Sequence, residues 1–406
     1  MTDLTKITTV AETLKHPSYP DATFNLQPTR SGLLPVAAGR GGPLRIGWEV
    51  HGEGPVKIVF IMGLGSFKTA WQRQTLHFGH ERYKEYSVLL LDNRGMGDSD
   101  RPLMRYSTRD MALDALEVLE HVGFVAAPST STSTSTSPST SKPDARSVHI
   151  VGLSMGGMVA QELACLIPGE VASLSLCCTA AAIENTSASI WENLASRAAL
   201  IIPKGVEESV RGTAGRILSH AFLTGPDNIM LPKPGTHLVG PPLRSHYTPQ
   251  KTTPVDYTAL KQEQQQTSTS SEANSASSSS SWYRLFDSNY QRFIAQEMHK
   301  RNDPRFTTKG FLLQLIACGW HHKSPAQLAA MADAVDRRRI LVIHGTADQM
   351  ISVPHGRKLV EAIQPAQAHI VEGMGHAPVA ERCAWYNQTL ADHFHNGEVL
   401  AGRAKE

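Results

Sequence analysis

One stretch constrains the fold of this chain more than any other: Val148-His149-Ile150-Val151-Gly152-Leu153-Ser154-Met155-Gly156-Gly157. An apolar, β-branched run enters the pattern G-x-S-x-G and continues into apolar residues at helical spacing, Val159, Leu163, Leu166 and Ile167, which Pro168 and Gly169 bring to an end. The expected local structure is a buried strand, a sharp turn centred on Ser154 and a helix. So tight a turn strains the serine backbone, and Gly152 and Gly156 leave room for neighbouring main chain to come close. The first N–H groups of the helix then face any negative charge that develops at the serine.

The same alternation of short apolar runs and amphipathic stretches extends along the chain, which predicts an α/β fold with a mostly parallel central sheet flanked by helices. Strands are expected at 45–50, 57–62, 87–92, 148–152, 172–178, 340–344 and 368–371, and core helices at 108–122 and 156–167. From 180 to 328 the rhythm changes. Helical patterns at 190–202, 206–222, 282–299 and 308–318 surround a Pro/Gly-rich middle, and this region is expected to be a helical cap inserted between two strands. The expected organisation is an N-terminal extension with a possible first strand over 1–44, a core over 45–179 and 329–400, and the cap over 180–328. Two tracts poor in apolar residues, within 128–147 and 262–281, are expected to be low-complexity loop insertions, because they bury too little to offset the entropy of ordering.

A serine hydroxyl is a weak nucleophile near neutral pH and needs a base and an orienting acid. Both follow in the chain. The run Ile340-Leu341-Val342-Ile343-His344 ends in a turn that presents Asp348, and the run 368–371 leads into a glycine-flanked loop that carries His376. Asp114, Asp333 and Asp336 compete for the acid role, but each falls in a helical pattern rather than at a strand end. Two N–H donors for an oxyanion are also available. One is Met155, beside the serine, and the other is Leu64, in the glycine-rich loop Met62-Gly63-Leu64-Gly65-Ser66 that follows the strand at 57–62.

With the order Ser154, Asp348, His376 in place, the chain resembles the α/β-hydrolase fold superfamily, in the branch with a helical cap, over about 45 to 393. Asp92-Asn93-Arg94-Gly95-Met96-Gly97-Asp98-Ser99 is similar to that family's D-x-R-G-x-G-x-S turn, and the resemblance implies an architectural role for Asp92, Arg94 and Ser99. Met62 departs from the family pattern, where many members carry histidine. The first Ser/Thr tract is expected at the edge of the sheet away from the catalytic end, and the second inside the cap.

The function expected from these residues is serine hydrolysis of an ester-type bond in a small apolar substrate, through an acyl-enzyme and without metal or organic cofactor. A serine rather than an aspartate at the elbow argues against epoxide hydrolase and haloalkane dehalogenase chemistry. Carbon–carbon bond hydrolysis, lactonase, thioesterase, cofactor-free haloperoxidase and peptidase activities stay open on the same triad, as does a non-catalytic hydrolase-like receptor. A peptidase would need cap carboxylates, for which Glu207, Glu208 and Asp227 offer a diffuse set. Trp71, Trp191, Trp282, Phe286, Phe311 and Trp320 are candidates either for an apolar acyl pocket or for ordinary packing.

The 39 basic residues nearly balance the 37 acidic ones, so no broad positive field is expected to hold nucleic acid. The most apolar stretch, 148–167, is broken by polar residues and glycines and is not read as membrane-spanning. Five cysteines without C-x-x-C or zinc-ribbon spacing suit a reducing compartment, and His77/His80 and His321/His322 have no carboxylate at ligand spacing. A cytoplasmic protein acting on a small molecule is therefore expected, its oligomeric state left open.

Overall fold

Apolar runs with period-two alternation form eight strands of one sheet, and the alternation divides their side chains between its two faces. The structure, a computed structural model, describes residues 4–126, 146–184, 205–227, 229–233, 235–240 and 285–405. The strands are β1 (Arg30–Val36), β2 (Leu44–His51), β3 (Val56–Ile61), β4 (Tyr86–Leu91), β5 (Val148–Leu153), β6 (Val171–Cys177), β7 (Ile340–Gly345) and β8 (Gln367–Val371). Their order across the sheet is β1-β2-β4-β3-β5-β6-β7-β8. Strands β3 to β8 run parallel, whereas β1 pairs antiparallel with β2 and β2 antiparallel with β4. In β5, Val148 and Ile150 join the core cluster on one face and Val151 and Leu153 the cluster on the other. Burial on both faces explains why these runs contain so few polar residues.

Helices α1 (Thr108–His121) and α2 (Met155–Leu166) follow the expected patterns. Ser107 caps α1 reciprocally with Asp110, which satisfies two otherwise orphaned N–H groups. Strand β1 falls within the expected N-terminal extension. Between β6 and β7 lie α3 (Val206–Ile217), α4 (His220–Thr224), α5 (Asn289–Asn302), α6 (Thr308–Trp320) and α7 (Pro325–Val335). After β7 come α8 (Val353–Ile363), the strand β8, and α9 (Cys383–Leu400).

Two expected helices need correction. The helix expected over 206–222 is two, because Ser219 stops the first and caps the second by accepting from the Phe222 N–H. The helix expected from 282 begins at Asn289, where Ser288 caps it. Helix α7 runs across position 328, the expected boundary between cap and core, and packs on α2 and α8. The expected helix at 190–202 and the Ser/Thr tracts at 129–141 and 262–281 lie outside the described residues.

The turn after β4 shows what its polar pattern does mechanically. Arg94, 1% exposed, donates two 2.6 Å hydrogen bonds to Asp114 of α1, and Asp114 also pairs with Arg40. The Ser99 hydroxyl donates to the Asp92 carbonyl and accepts from the Gly47 N–H. Asp92 accepts from the backbone N–H and the ammonium of Lys68, although burial still raises its pKa above the ordinary value. Removing one partner of such a pair leaves an uncompensated buried charge. Asp114→Ala is therefore expected to lower the unfolding free energy by about 3–5 kcal/mol in urea titration.

Candidate active site

Ser154 stands where β5 turns into α2, with φ 60° and ψ −124°, a left-handed conformation that a non-glycine residue rarely adopts. The surroundings hold it there. The Ser154 N–H donates to the Cys177 carbonyl at 3.0 Å, and its carbonyl accepts from the Thr179 hydroxyl at 2.7 Å. At Gly156 a Cβ would stand 2.0 Å from the Ile61 carbonyl oxygen, so only glycine lets α2 begin this close to β3. Met155 is the first residue of α2, and its N–H is among those left without an intrahelical acceptor.

The other expected residues sit on neighbouring strand ends. His376 Nδ1 donates to Asp348 Oδ2 at 2.7 Å, while Asp348 Oδ1 accepts from the Met350 and Ile351 N–H groups at 2.8 and 2.9 Å. Both side chains are buried. This bonding leaves His376 Nε2 for another partner. Among the described residues no hydrogen bond joins the Ser154 hydroxyl to the His376 ring. The sheet supplies the proximity: Ser154 is bonded to Cys177, Cys178 donates its N–H to Ile343 of β7, and Asp348 follows that strand. Leu64 follows β3 in the loop facing the serine, where a Cβ on Gly63 would lie 2.9 Å from Ser154 Cβ. Of the competing aspartates, Asp114 is bound to Arg94 and Asp333 pairs with Arg337 in α7. Asp336 lies just past that helix, with φ 82°, rather than inside a helical pattern.

Four polar residues that sequence reasoning passed over also shape the site. Cys178 leaves β6 with φ 46°, and its sulfur lies in one group with the ligand atoms of Asp348 and His376, all within 4.8 Å of one another. Burial, then the Asp348 charge, pushes the Cys178 thiol pKa well above the ordinary value. The Asp348 oxygens beside it already accept from His376, Met350 and Ile351. His344 donates through Nε2 to the Ile351 carbonyl, and burial lowers its pKa, which keeps a second cation away from Asp348. Glu381 accepts from the Gly375 N–H, the Ser219 N–H and the Ser219 hydroxyl, while the His376 N–H donates to the Ile217 carbonyl at 2.7 Å. The loop carrying His376 is thereby fastened to the junction of α3 and α4. Gln314 of α6 accepts from the Gly65 N–H. Cys178 and His344 carried a sequence signal, their positions at strand ends. Glu381 and Gln314 depend on contacts with Ser219 and Gly65, far away in the chain.

The carboxylates considered for a substrate amine are engaged elsewhere: Asp227 forms a two-bond pair with Arg292, and Glu207 accepts from the Val10 N–H. Among the aromatic candidates, Trp71 stacks on Phe60 in the core, Phe286 packs between the insert and the N-terminal segment around His16 and Ala22, and Trp320 is exposed beneath the Arg105 guanidinium. Phe311 alone is brought against the loop of Leu64, where a Cβ on Gly65 would come within 2.7 Å of its ring. Trp191 and Trp282 lie outside the described residues. Crowding between Gly63 and Ser154 yields a direct check. Gly63→Ala is expected to cost about 1–3 kcal/mol of stability, the usual overpacking range, and to slow reaction of Ser154 with a fluorophosphonate by at least about tenfold. Thermal unfolding and labelling rates measure the two effects separately.

Comparison with known proteins bears on the family and the fold. A family model described as "Alpha/beta hydrolase family" matches residues 51–389. The chain is 31% identical over 150 residues, 37% of its length, to a dihydrolipoyllysine-residue acetyltransferase component of an acetoin cleaving system from Pseudomonas putida, covering 34% of that protein. It is 25% identical over 166 residues, 41% of its length, to 3-oxoadipate enol-lactonase 2 of Acinetobacter baylyi, covering 51% of that protein. The matches thus span about a third to a half of those relatives. The crystal structure of an enol-lactonase from Burkholderia xenovorans superposes with TM-score 0.51 at 19% identity, covering 89% of this chain and 99% of that one.

Proposed function

The chain belongs to the alpha/beta hydrolase family, and we propose that it is a serine hydrolase that cleaves an ester-type bond of a small apolar substrate through an acyl-enzyme. It is a hydrolase by family; the ester substrate, the carboxylic ester hydrolase class and the residue roles are this proposal. The observation that carries it is the buried 2.7 Å bond from His376 to Asp348 at the strand ends beside the strained Ser154. That bond fixes the imidazole tautomer with Nε2 free, which is the form a general base needs.

In the first step Ser154 Oγ bonds to the substrate carbonyl carbon while His376 Nε2 takes the hydroxyl proton. The carbonyl π pair moves to oxygen, and the N–H groups of Leu64 and Met155 receive the oxyanion. The hydroxyl turns toward Nε2 when substrate is bound, as catalytic hydrogen bonds often tighten only in the complex. Collapse of the tetrahedral intermediate breaks the bond to the leaving oxygen, which takes the proton from His376. Water then repeats the sequence on the acyl-enzyme, with His376 as base, and releases the acid and Ser154. Asp348 keeps its negative charge throughout and stabilises the imidazolium. These steps need no metal or organic cofactor.

The helical insert between β6 and β7 serves as the cap and shapes the acyl pocket. Among the further chemistries open to this triad, hydrolysis of a lactone, a cyclic ester, has specific support from the enol-lactonase relative. Peptidase action has less, because Asp227 and Glu207 are already bonded. Among the described residues no helix is long and apolar enough to cross a membrane. In assays on chromogenic esters from acetate to palmitate and on simple lactones, Ser154→Ala, His376→Ala and Asp348→Asn are each expected to lower kcat by about 10³–10⁴. Wild-type turnover unaffected by Ser154→Ala would remove the mechanism.

A further inference from the structure

The proposed oxyanion donor Leu64 is held by a side chain from outside the core. Gln314 lies on α6 of the insert and is fully buried. Its Oε1 accepts from the Gly65 N–H at 2.9 Å, and its Nε2 donates to the Arg94 carbonyl at 3.0 Å. One amide therefore bridges the loop after β3 and the turn after β4. The neighbouring contacts on α6 address the same two loops. The Phe311 ring covers Gly65, and a Cβ on Gly310 would stand 2.0 Å from the Gly95 carbonyl oxygen. Just before α6, Arg305 pairs with Asp98 of the turn at 2.7 Å.

The consequence for the donor is geometric. The Gly65 N–H belongs to the peptide that follows Leu64, and its bond to Gln314 fixes the plane of that peptide. Fixing it leaves only the backbone torsions of Leu64 between a clamped plane and the plane that carries the Leu64 N–H. A donor aimed at a developing oxyanion must hold its direction before the charge appears. A buried amide with both ends satisfied is a stiff means of doing so, since either end left unbonded would carry the full desolvation penalty.

We propose that Gln314 is a positioning residue: it aims the loop of Leu64 and makes the readiness of the oxyanion site depend on the seating of helix α6. The proposal rests on the serine-hydrolase reading. It assigns to the insert a part in the chemical step, separate from enclosing the substrate. Gln314 touches no reacting atom and acts only through the Gly65 peptide.

The test compares the full-length wild type with Gln314→Met, which keeps the length of the side chain without its hydrogen bonds, and Gln314→Glu. Steady-state rates on one chromogenic ester are normalised to active sites titrated with a fluorophosphonate, so that any unfolded fraction drops out. Gln314→Met is expected to lower kcat per active site by at least about tenfold with KM within about twofold, since the lost interaction matters in the transition state. Gln314→Glu separates positioning from packing. Its carboxyl bonds the Arg94 carbonyl only when protonated; the Tyr106 hydroxyl also donates to that carbonyl, and the Arg94 guanidinium is already held by Asp114. The ratio of its kcat to that of wild type is therefore expected to rise as pH falls from 8 to 6. A kcat per active site unchanged in Gln314→Met, or an effect confined to a rise in KM, would each overturn the proposal. Ser154→Ala measured alongside reports on the underlying reading: if it keeps full turnover, the hydrolase mechanism fails, whatever Gln314 does.

Discussion

The left-handed backbone of Ser154 is the constraint on which the rest of this structure depends. A residue with a Cβ does not rest at φ 60° unless its surroundings over-determine it, and here the two neighbouring strands do so. β6 supplies the Cys177 carbonyl and, just beyond it, the Thr179 hydroxyl, while β3 closes in on Gly156 so tightly that no side chain fits. The strain and the packing are one feature. Because the serine is held by the sheet rather than by a loop, its position is shared with whatever the adjacent strand ends present. Those ends present the loop of Leu64 after β3, Cys178 after β6, Asp348 after β7 and His376 after β8.

Much of this was legible because the sequence repeats one physical rule. A strand buried on both faces has little choice but Val, Ile and Leu, and a turn at its end marks itself with glycine. The runs at 148–153 and 340–345 and the loop glycines flanking His376 follow that rule, and Ser154, Asp348 and His376 come after β5, β7 and β8, parallel strands of which the last two are neighbours. The paired bond of His376 to Asp348 was beyond sequence reasoning in its distance but not in its partners.

The illegible parts depend on contacts between segments far apart. Ser219 reads as an ordinary polar residue inside an amphipathic pattern, yet it ends one helix, caps the next and gives its hydroxyl to Glu381. Gln314 sits in an apolar helical run, where its polarity looks like an exception, and its reason appears only when Gly65 and Arg94 arrive on either side. Cys178 follows a strand as catalytic residues do, but burial keeps its thiol protonated. In each case local propensity was overridden or left undecided by a tertiary partner. The insert, which departs from the strand–helix rhythm, is where such partners concentrate, and among the described residues it reaches the site through Ile217 beside His376 and Gln314 beside Gly65.

The central claim is that Ser154 becomes covalently acylated during turnover. It is tested most directly by acid-quenching the wild-type protein in steady state with a chromogenic ester and locating any added acyl mass by peptide mass spectrometry. The account predicts one acyl group, on the peptide containing Ser154, which disappears once substrate is exhausted. Turnover that continues with no adduct on Ser154 under conditions that trap acyl-enzymes, or with the acyl group on another residue, would contradict it.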